Sequence, residues 1–341
     1  MVALSAGKMW GMRRLADPAG RMKMIAIDQR TPLMQPIARK RGVSEAAYDD
    51  IAEVKVAIVR HLSQHASAML LDPNFAYPRC AEHLSPAVGL CLSLEHHVTK
   101  NTGQGRLSRT IPSWSVRQTR RIGADAVKLL VWYRPDADAS VREHQQAFVR
   151  AIGRECREHD IVLLLELLIY PLPADAPGFL AANRARLVQA SMRDFSQPEF
   201  GVDVYKLEPP GPLRDIPDPD GAGAAELQRA YDDLGKLATR PWVLLSAAAS
   251  PADFQRSLAY ACRAGASGYL CGRAIWQTAF EHFPDLPAME RELAAGSVRY
   301  VYALNALTDK LAVAWHRHPS WQGPVVLAGD GPRFAESYAP A

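Results

Sequence analysis

Cysteine is scarce, with 5 in 341 residues. Cys80, Cys91, Cys156, Cys262 and Cys271 are odd in number, have no C-x-x-C spacing and fall mostly in apolar runs. A disulfide framework is therefore not expected; buried free thiols in a reducing compartment are. Long apolar runs are also missing. The run Val162-Leu163-Leu164-Leu165 is interrupted at once by Glu166, so no segment reads as a membrane span. The stretch from Met1 to Lys23 lacks the continuous apolar core of a secretory leader. A cytoplasmic protein with no membrane partner is the expectation. Charge of one sign is not in excess either: 40 basic residues stand against 36 acidic ones, a net charge of +4. That balance gives no reason to expect nucleic acid as a partner, but it leaves cations for a small anionic ligand. No glycine-rich loop follows the first apolar run, which argues against a dinucleotide-binding sheet.

What is present is a 48% hydrophobic chain with a regular rhythm. Eight short apolar segments read as strands: Met24–Asp28, Ala68–Asp72, Gly89–Glu95, Ala126–Tyr133, Ile161–Ile169, Val202–Leu207, Trp242–Ala247 and Gly268–Gly272. They are continuous Val/Leu/Ile runs, the pattern of parallel strands covered on both faces. Amphipathic segments fill the gaps. Ser44–Gln64 is expected to be a helix with Ser44 as its N-cap, and Asp138–His159 and Glu226–Thr239 follow the same pattern. Pro251–Ala264 opens at Ser250-Pro251 and ends at Gly265. Glu292–Arg317 reads as a long closing helix. The whole predicts an α/β fold, a (β/α)8 TIM barrel forming a single domain over residues 1–318, with an irregular tail over 319–341. The proline- and glycine-rich stretches Pro171–Pro177 and Pro209–Gly223 follow strands and are expected as loops on the catalytic face. The closing helix and tail offer a surface for a homo-oligomer.

In such a barrel, chemistry collects where the strands end. Lys206 sits in the apolar run Val202–Leu207, and a lysine there must lose hydration, which favours the neutral amine that attacks carbonyls. By itself it also fits a snorkelling or ion-paired lysine. Lys128, Glu166, Lys206 and Ser246 recur roughly 40 residues apart, on adjacent strands at similar depth, and Asp28 ends the first strand. Several ionisable groups inside apolar strands are costly unless they meet. Two facing lysines would depress each other's pKa, Glu166 between them could shuttle protons, and Asp28 could accept one from a hydroxyl. The plainer reading leaves Asp28 capping a turn and Glu166 neutralising a lysine. Ser246-Ala247-Ala248-Ala249 and Gly272-Arg273 follow the last two strands, the usual phosphate position of these barrels, though small residues there also suit a tight turn. His96-His97 would point to opposite faces of a strand and so could not share one metal ion; no metal and no cofactor are expected. Trp132 and Tyr133 read as packing or pocket wall. Arg79, Arg106 and Arg134 lie near loops and could meet a second anionic group.

Six segments in order resemble the class I tagatose-1,6-bisphosphate aldolase family, which includes sulfofructose-phosphate aldolases: Ile25–Arg30, Gly123–Leu130, Leu165–Leu168, Asp203–Glu208, Leu245–Ala247 and Leu270–Trp276. The resemblance runs from about residue 22 to 282. It implies a (β/α)8 barrel, with Lys206 as the Schiff-base lysine, Glu166 as proton shuttle and Lys128 and Asp28 as their partners. Gln29, Ser246, Ala247, Gly272 and Arg273 would bind substrate, Ser246 and Arg273 at the phosphate. Two departures stand out. The family often has glycine where this chain has Ala248, and alanine resists positive φ. Arg134 resembles the sulfosugar-type members and would then face the distal substituent. The implied activity is cleavage of a phosphorylated ketose, a hexulose 1,6-bisphosphate or 6-sulfo-6-deoxyketose 1-phosphate, to dihydroxyacetone phosphate and a three-carbon aldehyde. The alternatives are a Schiff-base aldolase for another sugar-phosphate skeleton and a non-catalytic sugar-phosphate-binding regulator.

Overall fold

A computed structural model of the chain describes residues 2–338; Met1 and the last three residues of the tail, 339–341, lie outside the described residues. Eight parallel strands close into a barrel. They are β1 (Met22–Ala26), β2 (Ala68–Leu71), β3 (Gly89–Ser93), β4 (Ala126–Trp132), β5 (Val162–Leu168), β6 (Val204–Leu207), β7 (Trp242–Leu244) and β8 (Gly268–Cys271). Each falls on one of the eight apolar runs read from the sequence, and the ring is closed, unlike the open sheet that parallel strands can also form.

Alternation along these strands divides the apolar residues into two cores. Met24, Leu70, Cys91, Ala126, Leu164, Val204, Val243 and Leu270 fill the lumen. Their chain neighbours, such as Ile25, Met69, Leu92, Val127, Leu163, Tyr205, Leu244 and Cys271, face the surrounding helices. The period of two decides which residue does which. The lumen core also takes in Met12 and Leu15 of the helix Ala6–Leu15. That helix closes the N-terminal end of the barrel so tightly that a Cβ on Gly11 would lie 2.6 Å from the Asp125 carbonyl.

The helices follow the sequence reading with local shifts. Ala139–Glu158 is capped by Asp138, and Pro251–Arg263 by Ser250, whose hydroxyl accepts from the Asp253 amide. Ser44 is not a cap. The preceding helix Thr31–Arg41 ends on left-handed Gly42, residues 43–47 are used in the turn, and the next helix begins at Tyr48 with Asp49 and Asp50 in its first turn. The closing segment is helical from Leu286 to Leu311 through a π stretch at Leu293–Ser297, and stops short of Arg317. There the Val313 and Trp315 amides turn away to the Ala266 and Gly20 carbonyls. The tail is more ordered than expected: Val325–Leu327 pairs in parallel with Val2–Leu4, and Phe334–Ser337 is a short helix. No helix among the described residues is long and apolar enough to cross a membrane.

Candidate active site

One layer above the apolar lumen core the side chains turn charged. Lys128 lies on the same face of β4 as Ala126, Glu166 on the same face of β5 as Leu164, and Lys206 on the same face of β6 as Val204. Glu166 is register-paired with Lys206, while Lys128 pairs with Leu164, one pleat below Glu166. The lysine is long enough to make up the step. Glu166 Oε2 lies 2.9 Å from Lys206 Nζ and 3.0 Å from Lys128 Nζ. Asp28, two residues past the end of β1, places Oδ2 2.8 Å from Lys128 Nζ. The four predicted catalytic residues therefore meet at one point, and each is at most 6% exposed.

Three groups missed from the sequence complete the cluster. Glu95, two residues past β3, sets Oε1 2.9 Å from Lys128 and accepts 2.8 Å from Arg30. The Ser93 hydroxyl donates to Asp28 Oδ2 at 3.1 Å. Lys55, on the helix behind β1, donates to the Ile27 and Gln29 carbonyls at 2.8 Å and to the Asp72 carboxylate. It thus clamps the backbone on both sides of Asp28. Glu95 carried the same signal as Asp28, an acid just beyond an apolar strand. Lys55 carried none, because its role depends on which strand its helix covers.

The electrostatics correct one expectation. Burial alone would raise the Asp28 pKa, but Lys128, Lys206 and Arg30 hold it well below the usual carboxylate range. Burial alone would lower the Lys128 pKa, but Asp28, Glu166 and Glu95 raise it well above an ordinary lysine's. Mutual depression of two lysines, predicted from their proximity, is outweighed at Lys128 by three carboxylates. An ammonium has three N–H donors. Lys128 donates to Asp28 and Glu95 and pairs ionically with Glu166 at 3.0 Å. Lys206 meets Glu166 alone among the described residues, which leaves two of its N–H directions free.

The substrate-binding candidates separate into two groups. Ser246 lies past the end of β7, in the loop rather than in the strand, and is buried. Ala247 and Ala248 adopt φ of +47° and +61°, so alanine occupies the left-handed turn despite its Cβ. Gly272 caps the helix Arg273–Phe280, where a Cβ would lie 2.8 Å from Gln29 Nε2. The Gln29 side-chain oxygen is buried without a partner among the described residues. Burial lowers the Arg273 pKa while Glu166 and Asp28 oppose it, which places this guanidinium at the same end as the charged cluster.

Arg134 belongs to neither group and must be corrected. It is 1% exposed, and its N–H groups go to Asp136, Asp175 and the Tyr170 carbonyl, with none left for a distal substituent. Its signal, an arginine just past β4, said nothing of the two aspartates waiting for it. Arg79 pairs with Asp49 on the surface. His96 and His97 do not point apart, because β3 has already ended; their rings stack with centroids 4.8 Å apart. Among the described residues no group of three or more His, Cys, Asp or Glu could hold a metal ion. All five cysteines are free and buried, and burial pushes the Cys80, Cys262 and Cys271 thiols up to about 12. A cavity of about 970 Å³ lies at the opposite end of the barrel against Val2–Ser5, Asp203 and Trp321 and touches none of the clustered residues. Size and chemistry therefore point to different ends. The convergent ionisable groups are the better guide to a catalytic site.

Comparison with known proteins bears on the family. The chain is 31% identical over 317 residues to the tagatose 1,6-diphosphate aldolase 1 of Streptococcus mutans, covering 89% of this chain and 96% of that one. It is 32% identical over 329 residues to a tagatose 1,6-diphosphate aldolase of Listeria monocytogenes, covering 92% and 95%. Among solved structures, a Schiff-base-forming fructose-1,6-bisphosphate aldolase superposes with a TM-score of 0.59 at 16% identity, covering 88% of this chain and 99% of that one, a likeness of fold. The description "DeoC/LacD family aldolase" matches residues 22–278, and with the barrel and its charged mouth in place, this chain belongs to the DeoC/LacD family of aldolases.

Proposed function

We propose that this aldolase works through a Schiff base on Lys206 and cleaves a phosphorylated ketose, a hexulose 1,6-bisphosphate or a 6-sulfo-6-deoxyketose 1-phosphate, to dihydroxyacetone phosphate and a three-carbon aldehyde. The observation that carries this reading is the unequal bonding of the two lysines. Lys128 is ringed by three carboxylates and donates to two of them, whereas Lys206 meets a single carboxylate among the described residues.

In this reading Lys206 gives a proton to Glu166 and attacks the C2 carbonyl through the freed lone pair, forming a carbinolamine. Glu166, 2.9 Å away, returns the proton to the departing hydroxyl, and water leaves as the protonated imine forms. The imine is the electron sink. Glu166 or Asp28 takes the proton from the C4 hydroxyl, the C3–C4 bond breaks, and its electron pair moves through C2 to the imine nitrogen. The aldehyde departs. Protonation of the enamine at C3 and hydrolysis of the imine free dihydroxyacetone phosphate and the amine. Lys128 stays charged and anchors Asp28, Glu95 and Glu166 in fixed positions. The buried, unpartnered Gln29 oxygen is suited to accept from a substrate hydroxyl. Arg273 and the loop at Ser246–Ala248 suit the C1 phosphate, the arginine by paired N–H groups and the loop by backbone amides. No cofactor enters this scheme.

Borohydride reduction in the presence of dihydroxyacetone phosphate tests it. A stable adduct mapped to the peptide carrying Lys206 is expected; an adduct on any other residue would overturn the assignment. Condensation of dihydroxyacetone phosphate with a panel of aldehydes distinguishes this reading from a binding-only regulator and from an enzyme for another skeleton. The reading also places the protein in a reducing cytoplasm, where five buried thiols stay reduced, as an assembly of identical copies that light scattering would count.

A further inference from the structure

Above the charged layer the mouth carries a further cation of a different kind. Trp132, the last residue of β4, is four positions beyond Lys128 on the same face of the strand, about 13 Å further toward the opening. Tyr170 follows β5 with the same alternation relative to Glu166. The two rings meet edge-on with centroids 6.4 Å apart. Over them lies Arg106, its guanidinium carbon 4.5 Å from the Trp132 ring and 4.8 Å from the Tyr170 ring.

This arrangement is held from several sides. Arg106 belongs to a hairpin in which Lys100–Thr102 pairs with Gly105–Leu107. Gly105 lies so close to Tyr170 that a Cβ would stand 2.5 Å from the phenol oxygen, and that oxygen accepts from the Arg106 amide at 3.0 Å. Buried Gln145 bonds to the carbonyls of Arg106 and Trp132 and so ties the hairpin to β4. Arg134, displaced from the role the sequence suggested, holds the Tyr170 carbonyl at 2.7 Å. The backbone, the rings and the hairpin are all fixed, yet the Arg106 guanidinium donates no hydrogen bond among the described residues. Its face is covered by aromatic rings and its N–H edge is open. Burial lowers its pKa.

A stacked guanidinium with a free edge is preorganised for a planar pair of bonds to an oxyanion. We propose that Arg106 binds the anionic group at the far end of the substrate, the phosphate or sulfonate on the carbon remote from Lys206, and sets the preference for a doubly anionic ketose. This inference rests on the aldolase reading above. It assigns the distal recognition that Arg134 cannot supply, because every N–H group of Arg134 is already engaged.

The test compares a hexulose 1,6-bisphosphate with the same hexulose 1-phosphate, on wild type, Arg106→Ala and Arg106→Lys. The quantity read is the ratio of kcat/KM for the two substrates. Arg106→Ala is expected to lower that ratio by about 10- to 100-fold, chiefly through KM for the bisphosphate, with Arg106→Lys intermediate. The same ratio for the 6-sulfonate analogue decides which oxyanion is preferred. A ratio unchanged in both variants would overturn the role of Arg106 and leave the aldolase reading standing. Equal losses on both substrates would overturn it too, since a purely structural arginine gives that result. Failure of wild type to cleave either substrate would overturn the aldolase reading itself, and this inference with it.

Discussion

Two buried lysines in this molecule have opposite fates, and the difference lies in how many of their protons are already spoken for. Lys55, behind β1, is fully buried and gives its donors to two backbone carbonyls and to Asp72, itself fully buried. Lys206, inside the barrel, is 4% exposed and has only Glu166 as a partner among the described residues. The first site is closed: its charge is neutralised, its geometry is complete and nothing can be added. The second is incomplete in a way that costs stability unless a ligand finishes it. Burial alone therefore does not mark a functional lysine. Burial with open donor directions among other ionisable groups is the better sign.

Substitutions at the two sites should separate activity from stability. Lys206→Met is expected to reduce turnover at least about 10⁴-fold in a condensation assay while the thermal midpoint holds or rises, because an unfilled buried charge is removed. Cleavage retained above that level would end the comparison. Glu166→Gln should lower kcat about 10²- to 10⁴-fold and flatten the pH–rate profile, with borohydride adduct still forming slowly on Lys206. Lys55→Met should do the reverse. It strands Asp72 and two carbonyls and should cost about 3–5 kcal/mol in denaturant unfolding. Loss of kcat there without loss of stability would mean that Lys55 is not a structural clamp.

The charged mouth should also show in the pH dependence of stability. Asp28 has a folded pKa below its ordinary 3.8, so its contribution is present above that value and disappears as pH falls through the folded pKa. Lys128 has a folded pKa above its ordinary 10.5, so its contribution is present below that value and disappears as pH rises through the folded pKa. Unfolding free energy from these two groups should be flat from about pH 5 to 9 and decline outside, and Lys128→Met should remove the alkaline part of the decline. The smallest effect belongs to the turn after β7. Ala248→Gly relieves a left-handed alanine and should raise stability by about 0.5–1 kcal/mol in the same assay. A destabilised Ala248→Gly would show that the turn is not strained.

Much of this is legible in the sequence. All eight strands appear in the sequence because each is an apolar run too short for a buried helix and too regular for a loop. Lys128, Glu166, Lys206 and Asp28 were legible because ionisable residues in such runs need partners. Glu95 gives the same sign as Asp28, an acid just past an apolar strand. Arg134 was legible as a cation near the mouth and misassigned, since nothing local showed that Asp136 and Asp175 would take its donors. Ser44 failed as a cap for a similar reason: the chain before it had to turn from Gly42 first.

The sequence by itself determined the barrel, the order of its strands and which face of each carries charge, because a period of two and a recurrence of helix and strand are properties of neighbouring residues. Only the tertiary structure decided which lysine is saturated and which is open, which arginine is spent and which is free. Those outcomes depend on acceptors brought in from dozens of residues away, and no local pattern records how many donors each will receive.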